Sequence, residues 1–161
     1  MSATLAHEIV GPADAPALVF LHGWTSNRLT FAAQRTAFSK QYRCVFVDLP
    51  GHGESPPPAG DCSVGWYAAA VAAFLSAHDL AHAIPVGHSL GGLIALELAA
   101  RPGARHPAAG LIDPAPIVKT PAMQASLART QAMIADRGRL AAQGALAEKV
   151  FFLGSDPADV Q

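Results

Sequence analysis

A serine with glycines two residues to either side, Gly87-His88-Ser89-Leu90-Gly91, is the grouping in this chain best suited to chemistry. A hydroxyl becomes a nucleophile when a base takes its proton and nearby donors hold the oxyanion that forms on the attacked carbonyl. The five residues lie between a short apolar run at 83–86 and a helix-forming run that begins at Leu90. A buried strand passing straight into a helix must turn sharply at Ser89, and the turn leaves no room for side chains at positions 87 and 91. It also lifts the serine oxygen off the sheet and sets it beside the unpaired N–H groups of a helix N-terminus.

The base is harder to find. Of seven histidines only His106 follows Ser89. A helix of roughly eleven residues after the serine carries the chain about 16 Å to the opposite edge of the sheet, so His106 is expected out of reach. His88 is adjacent in sequence, and its side chain must diverge from that of the serine at the turn. His22 lies at the correct edge and could approach. No convincing base is expected among these residues. Asp113, at the end of a fourth apolar run, is a candidate for the acid that would orient one; the bland alternative is that it fixes the turn that follows.

Other groupings read as structural. Asp48 is expected to anchor its loop by hydrogen bonds, and Glu97 with Arg101 to form a helix-surface pair. His78 and His82 are four apart, but Asp79 stands where a zinc-protease helix needs glutamate and no third ligand follows, so they are expected near a helix C-terminus and no metal is expected. Gly51-His52-Gly53 fails as a dinucleotide loop because Pro56 replaces the third glycine. No cofactor is implied.

These side chains must be held by a scaffold, and the composition allows one. Half of the 161 residues are hydrophobic and 14% are charged, which predicts a folded interior. The net charge of −1, without a basic stripe, argues against nucleic acid or an anionic membrane as partner. Two cysteines make neither a disulfide framework nor a metal knot; Cys44, in an apolar run, reads as a core residue. No basic-then-apolar leader opens the sequence and no apolar run has membrane-spanning length, so the cytoplasm is the expected compartment. The oligomeric state is left open.

Apolar runs at 17–21, 44–47, 83–86 and 109–112 predict buried strands, with a weaker strand within 3–10. Helices are expected over 28–40, about 64–79 with Ser63 as N-cap, and 90–100. The alternation predicts an α/β fold with a mostly parallel sheet covered on both faces. In the 28–40 helix Leu29, Phe31, Ala32, Ala33 and Phe38 are expected on one face. After Pro114 the character changes to helical stretches at 121–136 and 139–150. Asp156-Pro157-Ala158-Asp159 then reads as the start of a helix that the sequence ends within, as a C-terminally truncated chain would.

Three motifs occur in order: His22-Gly23-Trp24, Asp48-Leu49-Pro50-Gly51-His52-Gly53-Glu54-Ser55, and the Gly87–Gly91 elbow. With them the chain closely resembles the α/β-hydrolase family, its serine-nucleophile branch of esterases, lipase-like enzymes and cofactor-free perhydrolases. The resemblance implies an incomplete α/β-hydrolase core over 1–115 and the start of a helical lid over 116–161. It implies Ser89 as nucleophile, the backbone N–H groups of Trp24 and Leu90 as oxyanion hole, and His22, Gly23, Gly87 and Gly91 as its structural support. The family's order places acid and then histidine after the serine. The expected activity is hydrolysis of carboxylic esters or related small acyl substrates through an acyl-serine, impaired here by the missing base. A perhydrolase or a non-catalytic binding protein are the alternatives.

Overall fold

Alternate residues of the apolar runs at 17–21 and 44–47 enter two separate cores, the arrangement of strands covered on both faces. In the computed structural model these runs are β2 (Ala17–Leu21) and β3 (Arg43–Val47), joined in one sheet by β1 (His7–Val10), β4 (Ile84–Ser89) and β5 (Gly110–Pro114). The structure describes residues 4–58 and 61–114, with Ala132 and Asp136 beyond them. Most of these fall in the first of two units, Met1–Ala115 and Pro116–Gln161. Ala132 and Asp136 are helical; the rest of the helices expected at 121–136 and 139–150, the lid they would form, and the cap signal at 156–159 lie outside the described residues.

The strand order is β1-β3-β2-β4-β5. β2 pairs parallel with both β3 and β4, and β4 with β5, while β1 runs antiparallel to β3 with His7 opposite Val47. The parallel connections are α2 (Val64–Ala77) between β3 and β4, α3 (Leu90–Ala100) between β4 and β5, and a 3-10 turn at Arg28–Phe31 continued by α1 (Ala32–Phe38) between β2 and β3. This is the expected α/β architecture, a mostly parallel five-stranded sheet with helices.

One face of the sheet sends Val19, Leu21, Val45 and Val47 against Tyr67, Val71, Phe74 and Leu75 of α2 and Ile94, Ala95 and Leu98 of α3. The other face sends Leu18, Phe20, Cys44 and Phe46 against Phe31. Phe20 stacks on Phe46 at 4.7 Å between ring centres and tilts against Phe31 at 5.2 Å. Each fully buried side chain of this size contributes about 1.5–3 kcal/mol of transfer energy before entropy is subtracted. Ser63 caps α2 as expected, its hydroxyl accepting from the Trp66 N–H at 3.1 Å.

Two expectations change. The single helix over 28–40 is a 3-10 turn followed by the short α1, and only part of its expected apolar face forms: Phe31 is buried and Phe38 also packs on Phe20, at 6.3 Å, whereas Leu29 is 69% exposed and Ala32 and Ala33 are exposed. The tighter turn shifts the helical phase and turns Leu29 away from the side that Phe31 and Phe38 share. Arg101 does not pair with Glu97 among the described residues. It is the C-cap of α3 and donates to the Gly65 carbonyl at 3.1 Å, which ties the end of α3 to the start of α2. β5 pairs with β4 on one side and leaves Leu111 and Ile112 at 44% and 40% exposure.

Candidate active site

The residue with the most constrained backbone is the candidate nucleophile. Ser89 ends β4, starts α3 without an intervening loop, and adopts φ 51° and ψ −114°. For a residue with a side chain this left-handed conformation costs on the order of 1–3 kcal/mol and persists only where the surroundings enforce it. They do so through backbone contact. A Cβ added to Gly87 would land on the Gly91 carbonyl, and one added to Gly91 would land on the Leu21 carbonyl. The start of α3 thus lies directly on β4 and β2, and Leu90 is its first residue, with an N–H that has no partner within the helix.

The loop after β2 closes against this elbow. A Cβ on Gly23 would come within 3.2 Å of the Ser89 Cβ and 3.1 Å of the His88 Nδ1. Trp24 follows, 40% exposed. His22 is completely buried, and its Nε2 accepts from the Leu49 N–H at 3.0 Å. Nδ1 therefore carries the proton and donates to the Gly23 carbonyl at 2.7 Å. Burial pushes the His22 pKa down to about 4, with the neighbouring His52 and His88 acting the same way and the Gly23 carbonyl and Asp48 opposing. This histidine is neutral at ordinary pH with both nitrogens engaged. It pins the loop and is not the base.

Asp48 anchors its loop as expected. Its buried carboxylate accepts from the Arg28 N–H at 2.7 Å, the Glu54 N–H at 2.9 Å and the Arg28 guanidinium, which also reaches Glu54 at 2.6 Å. Ser55 donates to the Asp48 carbonyl at 2.6 Å and accepts from the Ala6 N–H at 2.9 Å. Arg28 was not legible in the sequence, because nothing in its own surroundings distinguishes it from a surface arginine. His52 is also buried, its Nδ1 3.0 Å from the Pro50 carbonyl and its ring edge-on to His22 at 5.2 Å.

The remaining acids and bases lie as follows. The pairing of β4 with β5 passes from His88–Ile112 to Ser89–Pro114, so Asp113 occupies a bulge beside Ser89, exposed and with φ 40°. His106 holds the Ala83 carbonyl at 2.8 Å, six residues before Ser89 and about 20 Å away along the strand. His88 keeps a buried Nδ1 with no hydrogen-bond partner. All seven histidines are among the described residues, and none hydrogen-bonds Ser89 there. His78 caps α2 rather than presenting a helical pair with His82, and no group of three or more metal-ligating side chains occurs among the described residues. No described helix is long and apolar enough to cross a membrane.

The sequence from 18 to 160 matches the model of the "Alpha/beta hydrolase family". The chain belongs to the α/β-hydrolase family. Over 89 residues this α/β-hydrolase is 45% identical to a pimeloyl-[acyl-carrier protein] methyl ester esterase of Shewanella sp. (strain MR-7), covering 55% of this chain and 31% of that protein. It is 41% identical over 83 residues to a non-heme chloroperoxidase of Streptomyces lividans, covering 51% and 30%. The solved structure of an enol-lactonase from Burkholderia xenovorans LB400 superposes with a TM-score of 0.80 at 25% identity, covering 92% of this α/β-hydrolase and 58% of that chain. The chain thus spans about a third of the length of these two curated relatives.

Proposed function

We propose that this chain carries the nucleophile and oxyanion-hole half of a serine hydrolase acting on carboxylic esters or related small acyl compounds. Ser89 attacks the carbonyl carbon, its proton leaves to a base, and the backbone N–H groups of Trp24 and Leu90 hold the oxyanion. Collapse of that intermediate expels the alcohol and leaves an acyl-serine, which water then cleaves. The observation that carries this reading is the backbone of Ser89 at φ 51°, held by glycines at 87 and 91 that admit no side chain. A fold that merely binds a ligand has no need to hold a serine under strain. Asp113, in the bulge beside Ser89, is the acid in this reading.

No base hydrogen-bonds Ser89 among the described residues, so the chain should turn over esters slowly. Oxyanion hole and binding without a complete triad leave about 10³–10⁴-fold over water. Added imidazole should substitute for the missing base. With p-nitrophenyl acetate and imidazole, mass spectrometry should find an acetyl group on Ser89 that accumulates faster than without imidazole and is absent from Ser89→Ala. Vigorous hydrolysis that survives Ser89→Ala would overturn the proposal, and so would an adduct that never appears on Ser89. The likeness to a chloroperoxidase supports a second reading, in which hydrogen peroxide intercepts the acyl-serine. Peracid-dependent halide oxidation with acetate and peroxide would separate it from simple hydrolysis.

A further inference from the structure

At the edge of the sheet opposite Ser89, the ends of α2 and α3 and the turn after α3 enclose a cleft of about 410 Å³. Its apolar surface comes from Ala72, Ala81, Pro102 and Ala104, which lie over the buried Leu75 and Leu98. Its wall carries Arg101, Arg105 and His106, and no carboxylate lines it among the described residues. Clefts that take small molecules have this size and this mixture of apolar surface with a few convergent polar groups.

The basic side chains have different accounts. Arg101 caps α3 and donates one guanidinium nitrogen to the Gly65 carbonyl at 3.1 Å, so the helix terminus explains it and also fixes where its charge stands. His106 donates from Nδ1 to the Ala83 carbonyl at 2.8 Å, which holds the ring in the wall with Nε2 left over. Arg105 has neither explanation. It lies beyond the last turn of α3 and makes no ion pair among the described residues. Arg101 is spent on local structure, His106 is fixed in place by a backbone bond, and Arg105 makes no ion pair among the described residues.

We propose that this cleft binds a small organic anion with a short apolar tail, a medium-chain carboxylate in size and polarity. The head sits between Arg101 and Arg105, and the tail lies along Ala72, Ala81 and Pro102. A carboxylate suits a planar guanidinium pair, and the apolar surface distinguishes it from a bare inorganic anion. The site shares no residue with the Ser89 elbow, so it stands or falls independently of the hydrolase reading.

Calorimetric titration of the chain with hexanoate tests it, with n-hexanol and inorganic phosphate as parallel probes. Saturable hexanoate binding is expected, with hexanol and phosphate each at least about tenfold weaker. Arg105→Gln, an exposed change that should leave the fold intact, is expected to weaken hexanoate about tenfold. Ser76→Trp, which fills the cleft from the exposed end of α2, should abolish binding. Circular dichroism of both variants separates lost binding from lost fold. Absence of saturable hexanoate binding would overturn the site. Phosphate binding as tight as hexanoate, or hexanoate affinity unchanged in Arg105→Gln, would overturn the assigned ligand class.

Discussion

At the scale of single residues, steric space and burial decide more than side-chain identity. Gly91 and Gly65 illustrate the contrast. A methyl at 91 would meet the Leu21 carbonyl, whereas one at 65, in the first turn of α2, meets nothing within 4 Å. Gly91→Ala should therefore lower unfolding stability by more than about 2 kcal/mol, while Gly65→Ala should raise it by about 0.5–1 kcal/mol. Urea unfolding of the two variants checks both signs. His22 gives the chain an acid dependence. Its folded pKa of about 4 lies below the ordinary histidine value of 6.5, so between those values the unfolded state binds the proton and the folded state does not. Stability is complete above about pH 6.5 and falls as the pH drops toward 4, by about 3 kcal/mol in all. Urea midpoints at pH 7, 5.5 and 4.5 should show a steeper fall for the native chain than for His22→Gln. A parallel decline in both would assign the acid loss to other groups. Nothing in the sequence around His22 reveals that both its nitrogens are occupied, because its partner Leu49 is 27 residues away.

At the scale of elements, the buried strands and the two long helices were legible because burial on both faces leaves continuous apolar runs, and Ser63 announces α2. The element that departs from expectation is the 28–40 segment. Its apolar residues at 29, 31, 32, 33 and 38 fit one helical stripe only if a single α-helix runs throughout, and the 3-10 turn at Arg28–Phe31 breaks that phase. That turn in turn serves Asp48, which holds the Arg28 N–H. The antiparallel pairing of β1 was equally hidden, since a four-residue strand has no pattern that states its partner's direction. The loops after β2 and β3 are tied through the Asp48 carboxylate, and its removal should cost about 3 kcal/mol by leaving the Arg28 and Glu54 N–H groups without their acceptor, while the Arg28 guanidinium keeps Glu54. The exposed Arg35–Glu8 pair should by contrast cost under about 1 kcal/mol when Glu8→Ala removes it. Denaturant midpoints of Asp48→Ala and Glu8→Ala would test that ranking, and equal losses would contradict it.

At the scale of the molecule, the sheet is asymmetric. One edge is the short β1, with Ile9 at 37% exposure, and the other is β5, whose Leu111 and Ile112 are exposed alongside an edge with no partner strand among the described residues. Such an edge is a template for pairing with another chain. Sedimentation of residues 1–161 should show concentration-dependent association that Ile112→Lys reduces. A monomer at all concentrations would argue that this edge is covered. The candidate site was legible as far as its backbone scaffold, because glycine spacing records where two main chains touch. Asp113 was legible as a candidate acid from its place at a strand end, whereas no base was, because a base meets the serine only through contacts distant in sequence.

The glycine contacts at the elbow carry one more consequence, for motion. With main chain resting on main chain from β2 through β4 to α3, Ser89 has no compliant layer beneath it. Its position is geared to the twist of the sheet and has few independent degrees of freedom. Adjustment to acyl groups of different size therefore falls to what surrounds the serine, beginning with the exposed Trp24 ring, while the attacking atom serves as the fixed point about which the pocket can vary.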